Sequence, residues 1–243
     1  MAYRRTYPPR WARRRYGSTE VPWVPTDIAV GCSVWIEARF ITGLSDSDPI
    51  GTAPDQSGES HDGTQAVEAS KPLFKENILN SYPAMFFDDA NDFLTIAGYG
   101  LTQPWTAFLL LADANQVASN TVMDGTAINA GRLFRVFNAG DTLQQYAGGY
   151  GAYSPVYSQD TFYTVCSVYN GASSQVYLNG SAGTAGNCGA TNPNGHNLGC
   201  YGTGDGGFWG GYIVGFVACQ GVVSEADRAL MDTFWKTIYA HYV

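Results

Sequence analysis

The 243 residues suit one large all-β domain, or two small ones, with ample chain for a core. Apolar residues make up 45% and charged residues only 14%, which excludes a disordered chain and a charge-laced coiled coil. No run reaches the ~18 apolar residues of a membrane span, and the opening MAYRRTYPPRWARRRYG lacks the apolar stretch of a secretory leader.

The charge is segregated. Residues 1–25 carry Arg4, Arg5, Arg10, Arg13, Arg14 and Arg15 against Glu20, a net +5, while the remainder carries 7 basic and 20 acidic residues, a net −13. This reads as a cationic arm on an acidic head that repels nucleic acid and anionic membranes. Pro8, Pro9, Pro22 and Pro25 favour extended geometry in the arm. Trp11 and Trp23 interleave with its arginines as candidate anchors.

From residue 30 the pattern becomes strands and turns. VGCSVWIEARFI (30–41) alternates, and 42–65 is a polar loop. PAMFF (83–87), DFLTIAG (92–98) and TAFLLLAD (106–113) are apolar runs, the last continuous enough to be buried on both faces. GRLFRVFNAG (131–140) alternates again, followed by strands at 161–170 and 174–180. Asn179-Gly180 marks a type I′ hairpin turn, because both central residues must adopt positive φ. GYIVGFVAC (211–219) is a late core strand. Only the end reads as helix: Ser224 caps it with Asp227 three residues on, and Ala229, Leu230, Phe234, Ile238 and Tyr242 recur on one face. Strands at short intervals with one terminal helix predict an all-β, antiparallel two-sheet sandwich or jelly roll spanning 26–243 behind the 1–25 arm.

The order of landmarks resembles the laminin-G-like, concanavalin A-like lectin/glucanase domains of bacterial and phage proteins. It runs SVWIEARF, DQSGESHDGTQ (55–65), KPLF (71–74), NSYPAMFFDDANDFLTI (80–96), TQPWTAFLLLAD (102–113), SSQVYLNGSAGT (173–184) and the closing GGFWGGYIVGFVACQGVVSEADRALMDTFWKTIY (206–239). The resemblance covers roughly 30–242 and implies a jelly roll of two packed sheets. It implies no single activity, because the fold hosts lectins, hydrolases and spacers.

Catalysis finds little support. A retaining glycosidase needs two carboxyls ~5–5.5 Å apart. Glucanases of this fold hold theirs on one strand in an E-x-D-x-E-like run, which this chain lacks. Glu37 is the one glutamate inside a predicted strand, and a hydrogen-bonded polar position is its expected role. The resemblance places Asp88, Asp89 and Asp92 in the turn between the PAMFF and DFLTI strands, where Asp is a usual turn former. His61 lies near Ser57, Ser60 and Asp62 in a polar loop unsuited to holding a triad. His61, His196 and His241 are isolated and no CxxC exists, so zinc is not expected. Asp88, Asp89, Asp124 and Asp205 are calcium candidates with turn roles as the default, and no cofactor is expected. Cys166 and Cys219 sit in apolar runs as buried thiols, while Cys188 and Cys200 either pair or stay free.

Two Gly-rich stretches carry candidate glycan or protein contacts: Tyr146, Tyr150, Tyr153 and Tyr157 in the first, and Tyr201, Asp205, Phe208, Trp209 and Tyr212 in the second. Taken together with the arm, these features predict a non-enzymatic virion accessory protein of a bacteriophage, displayed on the particle surface. The arm docks on a capsid or tail lattice, the head is oligomeric, and surface glycans are further partners. The alternatives are a sugar-binding adhesion module outside a virion, and a coat protein whose arm contacts the genome.

Overall fold

The computed structural model describes residues 22–114, 120–136, 141–202, 204 and 206–240. The predicted arm residues Arg4, Arg5, Arg10, Trp11, Arg13, Arg14 and Arg15 lie outside these, as do Asp205, His241 and Tyr242.

Among the described residues sixteen strands and one α-helix follow in order: β1 (Cys32–Glu37), β2 (Thr52–Ala53), β3 (Gly63–Thr64), β4 (Leu73–Leu79), β5 (Tyr82–Asp88), β6 (Leu94–Ile96), β7 (Trp105–Asp113), β8 (Thr121–Gly125), β9 (Arg132–Val136), β10 (Thr142–Tyr146), β11 (Tyr150–Tyr153), β12 (Tyr163–Tyr169), β13 (Gln175–Leu178), β14 (Ser181–Ala182), β15 (His196–Leu198), β16 (Gly210–Gln220) and α1 (Glu225–Tyr239). They form two antiparallel eight-stranded sheets. The first runs β14-β13-β12-β7-β16-β5-β4, with β1 also on β16; the second runs β11-β10-β9-β8-β15-β6-β3-β2. The expected all-β two-sheet sandwich with one C-terminal helix is the observed fold.

The sheets pack face to face over one apolar layer that includes Ile36, Met85, Leu109, Met123, Leu133, Leu143, Leu198 and Phe216. A second layer lies on the other side of the first sheet, where Phe108, Leu110, Val214 and Val217 meet Met231, Trp235 and Tyr239 of α1. The two layers explain the unbroken apolar run in β7: every residue of Trp105–Asp113 is buried, alternate ones against the facing sheet and against the helix.

Local signals place the ends. Ser224 Oγ accepts the Asp227 backbone N–H at 3.1 Å, the expected N-cap. Asn179 and Gly180 have φ of 48° and 82°, as the hairpin between β13 and β14 requires. The helix face departs from expectation. Asp227, Met231, Trp235 and Tyr239 are its buried residues, whereas Leu230 is exposed and Phe234 and Ile238 flank the contact. The buried stripe is rotated by one residue from the predicted one, because the large rings of Trp235 and Tyr239 carry partners that Leu230 lacks. The Gly-rich stretch 146–158 supplies the turn, around Gly148 with φ 94°, and the second strand of the β10–β11 hairpin. Trp23, the one predicted anchor among the described residues, is half-buried against the ring of Phe234, 5.9 Å between centroids.

None of the five cysteines is in a disulfide, and Cys166, Cys188, Cys200 and Cys219 are buried. Cys188 and Cys200 are therefore not joined, and Cys188 Sγ lies 2.9 Å from Ser174 Oγ.

Candidate functional site

The pleat of the second sheet decides which side chains face outward. Leu133 lies in the intersheet layer, and Arg135 reaches Asp113 of the facing sheet at 3.0 Å. Arg132 and Phe134 therefore point out. On β10, Leu143 faces in and Gln145 Nε2 donates to Ser167 Oγ of the facing sheet at 2.8 Å, so Gln144 and Tyr146 point out. Register sets these residues side by side: Tyr146 opposes Arg132, Gln144 opposes Phe134, and Tyr150 on β11 opposes Tyr146.

The result is an aromatic shelf around one guanidinium. Arg132 lies over the Phe134 ring at 4.3 Å and the Tyr201 ring at 5.0 Å, and its Nε donates to Thr121 Oγ1 at 2.8 Å. Tyr150 stands edge-on to Tyr146 at 4.9 Å and to Phe134 at 6.2 Å. Tyr150 is 70% exposed, whereas Phe134 is 3% and Gln144 2% exposed. The amide nitrogen of Gln144 is buried without a hydrogen-bond partner among the described residues.

Asp124 supports the shelf from beneath. It is buried, and its carboxylate accepts the backbone N–H groups of Asn129, Gly125 and Gly202. Burial raises its pKa to about 6, against the pull of those three amides and of Arg132. Asn197 donates to the Gly202 carbonyl and accepts from Thr95 Oγ1 at 2.7 Å. Together Asp124 and Asn197 fix the turn that presents Tyr201. Burial also lowers the pKa of Arg132, with the Asp124 charge opposing that shift.

Of the sequence-predicted contacts, the structure brings Tyr150 and Tyr201 to the shelf. Tyr153 is half-buried beside a cleft of about 520 Å³ lined by Thr142, Ser154, Val156 and Thr184. Phe208 is half-buried. Two others are corrected. Trp209 is 0% exposed within the intersheet layer, and Tyr157 is buried with its hydroxyl donating to Asp113 Oδ2 at 2.7 Å. Both rings face inward, into the intersheet layer. Sequence reading missed Arg132, Phe134 and Gln144. The alternation of RLFRV and TLQQY held the only signal, and it gave a face without saying which face is outward.

The groups weighed for catalysis are occupied structurally. Glu37 is fully buried: Oε1 accepts from Trp35 Nε1 at 2.7 Å and Trp235 Nε1 at 3.1 Å, and Oε2 from Tyr239 Oη at 2.7 Å and Arg39 Nε at 2.6 Å. Ser57 Oγ donates to Asp55 Oδ2 at 2.6 Å, and His61 Nδ1 donates to the Ser33 carbonyl at 2.9 Å, so no Ser–His–Asp relay forms. Burial acts to raise the Asp55 pKa, but bonds from Ser57, His61 and Trp35 hold it below the usual value. Asp88 Oδ1 caps the turn by accepting from Ala90 and Asn91 backbone N–H, and Asp89 accepts from Asn120 at 2.6 Å. Among the described residues no three His, Cys, Asp or Glu side chains group to hold a metal ion. No described helix is long and apolar enough to cross a membrane.

No family model matches the chain, and no curated protein matches it. Solved structures do share the fold. Domain 4 of AbnA, a GH43 extracellular arabinanase from Geobacillus stearothermophilus solved with arabinotriose, has a TM-score of 0.60 at 12% identity, over 83% of this chain and 97% of that one. The binding domain of Paraclostridial Mosquitocidal Protein 1 has a TM-score of 0.60 at 7% identity, over 87% of this chain and 53% of that one. Trypanosoma rangeli sialidase with the inhibitor DANA has a TM-score of 0.54 at 11% identity, over 82% of this chain. This chain covers only 32% of the sialidase's length. At these identities the likeness shows the β-sandwich fold.

Proposed function

We propose that the chain is a non-enzymatic carbohydrate-binding module of the laminin-G-like, concanavalin A-like kind, and that its binding surface is the outer face of the second sheet around Arg132. The observation that carries this is Tyr150, a 70% exposed ring braced on a strand by Tyr146 and Phe134 beside a guanidinium and an amide. Sugars present apolar C–H faces that stack on such rings and hydroxyls that pair with Arg, Gln and Tyr. Support comes from the arabinotriose in domain 4 of the arabinanase and from the binding domain of the mosquitocidal protein, both built on this fold. The candidate catalytic carboxylate, Glu37, is buried in hydrogen bonds.

The test is a glycan array with the full chain, followed by titration of any hit against Tyr150→Ala and Arg132→Gln. Binding weakened at least tenfold in both, with unchanged circular dichroism, is the expected result. An array without hits, or a hit indifferent to both changes, overturns it.

One observation favours a second reading, in which the basic arm docks the head on a virion: the net +5 of residues 1–25 against the −13 of the rest. Arg forms bidentate pairs with the carboxylates of an acidic lattice. Deleting residues 1–21 should then abolish particle incorporation and leave the head folded; unchanged incorporation overturns this reading.

A further inference from the structure

The opposite side of the molecule holds a second cleft, of about 420 Å³, between α1 and the outer face of β12–β14. Its volume falls within the ~300–1,000 Å³ usual for small-molecule sites. The floor is apolar, made by Phe108, Cys166 and Met231, exposed by 3%, 7% and 1%. One guanidinium stands over it. Arg228 lies 4.4 Å above the Tyr177 ring and donates Nη1 to the Val223 carbonyl at 2.8 Å.

The helix carboxylates that line the cleft, Asp232 and Glu225, do not neutralise Arg228. Asp232 is taken by Lys236 at 2.8 Å and by Thr164 Oγ1 at 2.5 Å. Glu225, at the rim, is exposed and makes no ion pair among the described residues. Arg228 itself has no carboxylate within ion-pair distance among the described residues. A cation held in place by an aromatic face and a carbonyl, above an apolar floor, is complementary to an anionic head joined to an apolar tail.

We propose that this cleft binds a small amphipathic anion, with its carboxylate on Arg228 and its hydrocarbon over Met231, Phe108 and Cys166. Bidentate pairing on Arg228 fixes the head, and burial of the tail supplies the remaining affinity. Glu225 opposes the head charge, so its removal tightens binding.

The experiment is calorimetric titration of the full chain with sodium octanoate, with 1-octanol as the uncharged counterpart. Saturable one-to-one binding is expected, at least tenfold weaker for the alcohol and at least tenfold weaker in Arg228→Gln, and tighter in Glu225→Gln. Ala229→Phe fills the cleft from the exposed helix side while keeping the Arg228 side chain, and should also weaken octanoate at least tenfold. That variant decides the matter if Arg228→Gln fails to fold. No saturable heat, equal affinity for acid and alcohol, or affinity unmoved by Arg228→Gln and Ala229→Phe would overturn the proposal. The readout is octanoate binding, so its failure and a failed glycan array are separate results.

Discussion

The Tyr239 hydroxyl donates to Glu37 Oε2 at 2.7 Å, tying the last turn of α1 to the end of β1 across 202 residues of sequence. Trp235 and Trp35 donate to the other carboxylate oxygen, and Arg39 completes the set. A buried carboxylate is tolerated when each lone pair it turns inward meets a donor. The residue type most suggestive of hydrolysis is here the clamp that seats the helix on the first sheet.

Glu37→Ala should therefore lower stability by about 3–5 kcal/mol, since it strands a cation and three buried donors. Glu37→Gln should cost about 1–3 kcal/mol, because the amide nitrogen cannot accept from Tyr239 and Arg39. Urea unfolding followed by tryptophan fluorescence measures both. A loss below 1 kcal/mol for the alanine variant would contradict the clamp.

Arg135 makes the corresponding link between the two sheets. Its Nη1 lies 3.0 Å from Asp113 Oδ2 and its Nη2 2.8 Å from Asp141 Oδ1, and both Arg135 and Asp113 are buried. Arg135→Leu leaves the Asp113 charge in an apolar interior and should cost about 3–5 kcal/mol. Tyr157→Phe removes only a neutral donor to Asp113 and should cost about 1 kcal/mol. Thermal melts of the two variants test this order.

Tyr150 is the mirror case. Its ring is mostly in solvent, so Tyr150→Ala should change stability by less than about 0.5 kcal/mol. Trp209→Ala should cost about 3–5 kcal/mol as a core truncation. A paired comparison of melting and glycan titration separates the proposed binding ring from the packing ring.

Asp92 gives a pH signature. It is 4% exposed, and its carboxyl is raised to about 7 by burial and then by the Asp88 charge, against an ordinary 3.8. Between those values the folded chain holds a proton that the unfolded chain has released. The group's stabilisation is therefore complete below about 3.8 and is lost as pH rises through about 7. Asp92→Asn should remove that loss and raise stability at pH 8 relative to pH 5 by about 1–2 kcal/mol, allowing for solvent screening. Melting curves of both proteins from pH 4 to 8 check the sign.

Much of the fold was readable from local chemistry. The Asn179-Gly180 turn, the Ser224 cap and the continuous apolar run of β7 each rest on interactions within a few residues. What stayed hidden depended on partners far away in the chain. Trp209 and Tyr150 look alike as aromatic residues among glycines, yet one is walled into the intersheet layer and the other stands in solvent. The helix stripe slipped by one residue because Tyr239 is held by Glu37, and periodicity carries no record of a hydrogen bond from so remote a strand.

By itself the sequence determined the class of architecture, the cationic leader and the turns, because backbone preference and apolar alternation act over short stretches of chain. Only the tertiary structure decided which face of each strand meets water. That depends on which sheet packs on which, and it alone gathers Arg132, Phe134, Tyr150 and Tyr201 into one surface while it closes Glu37 away from any substrate.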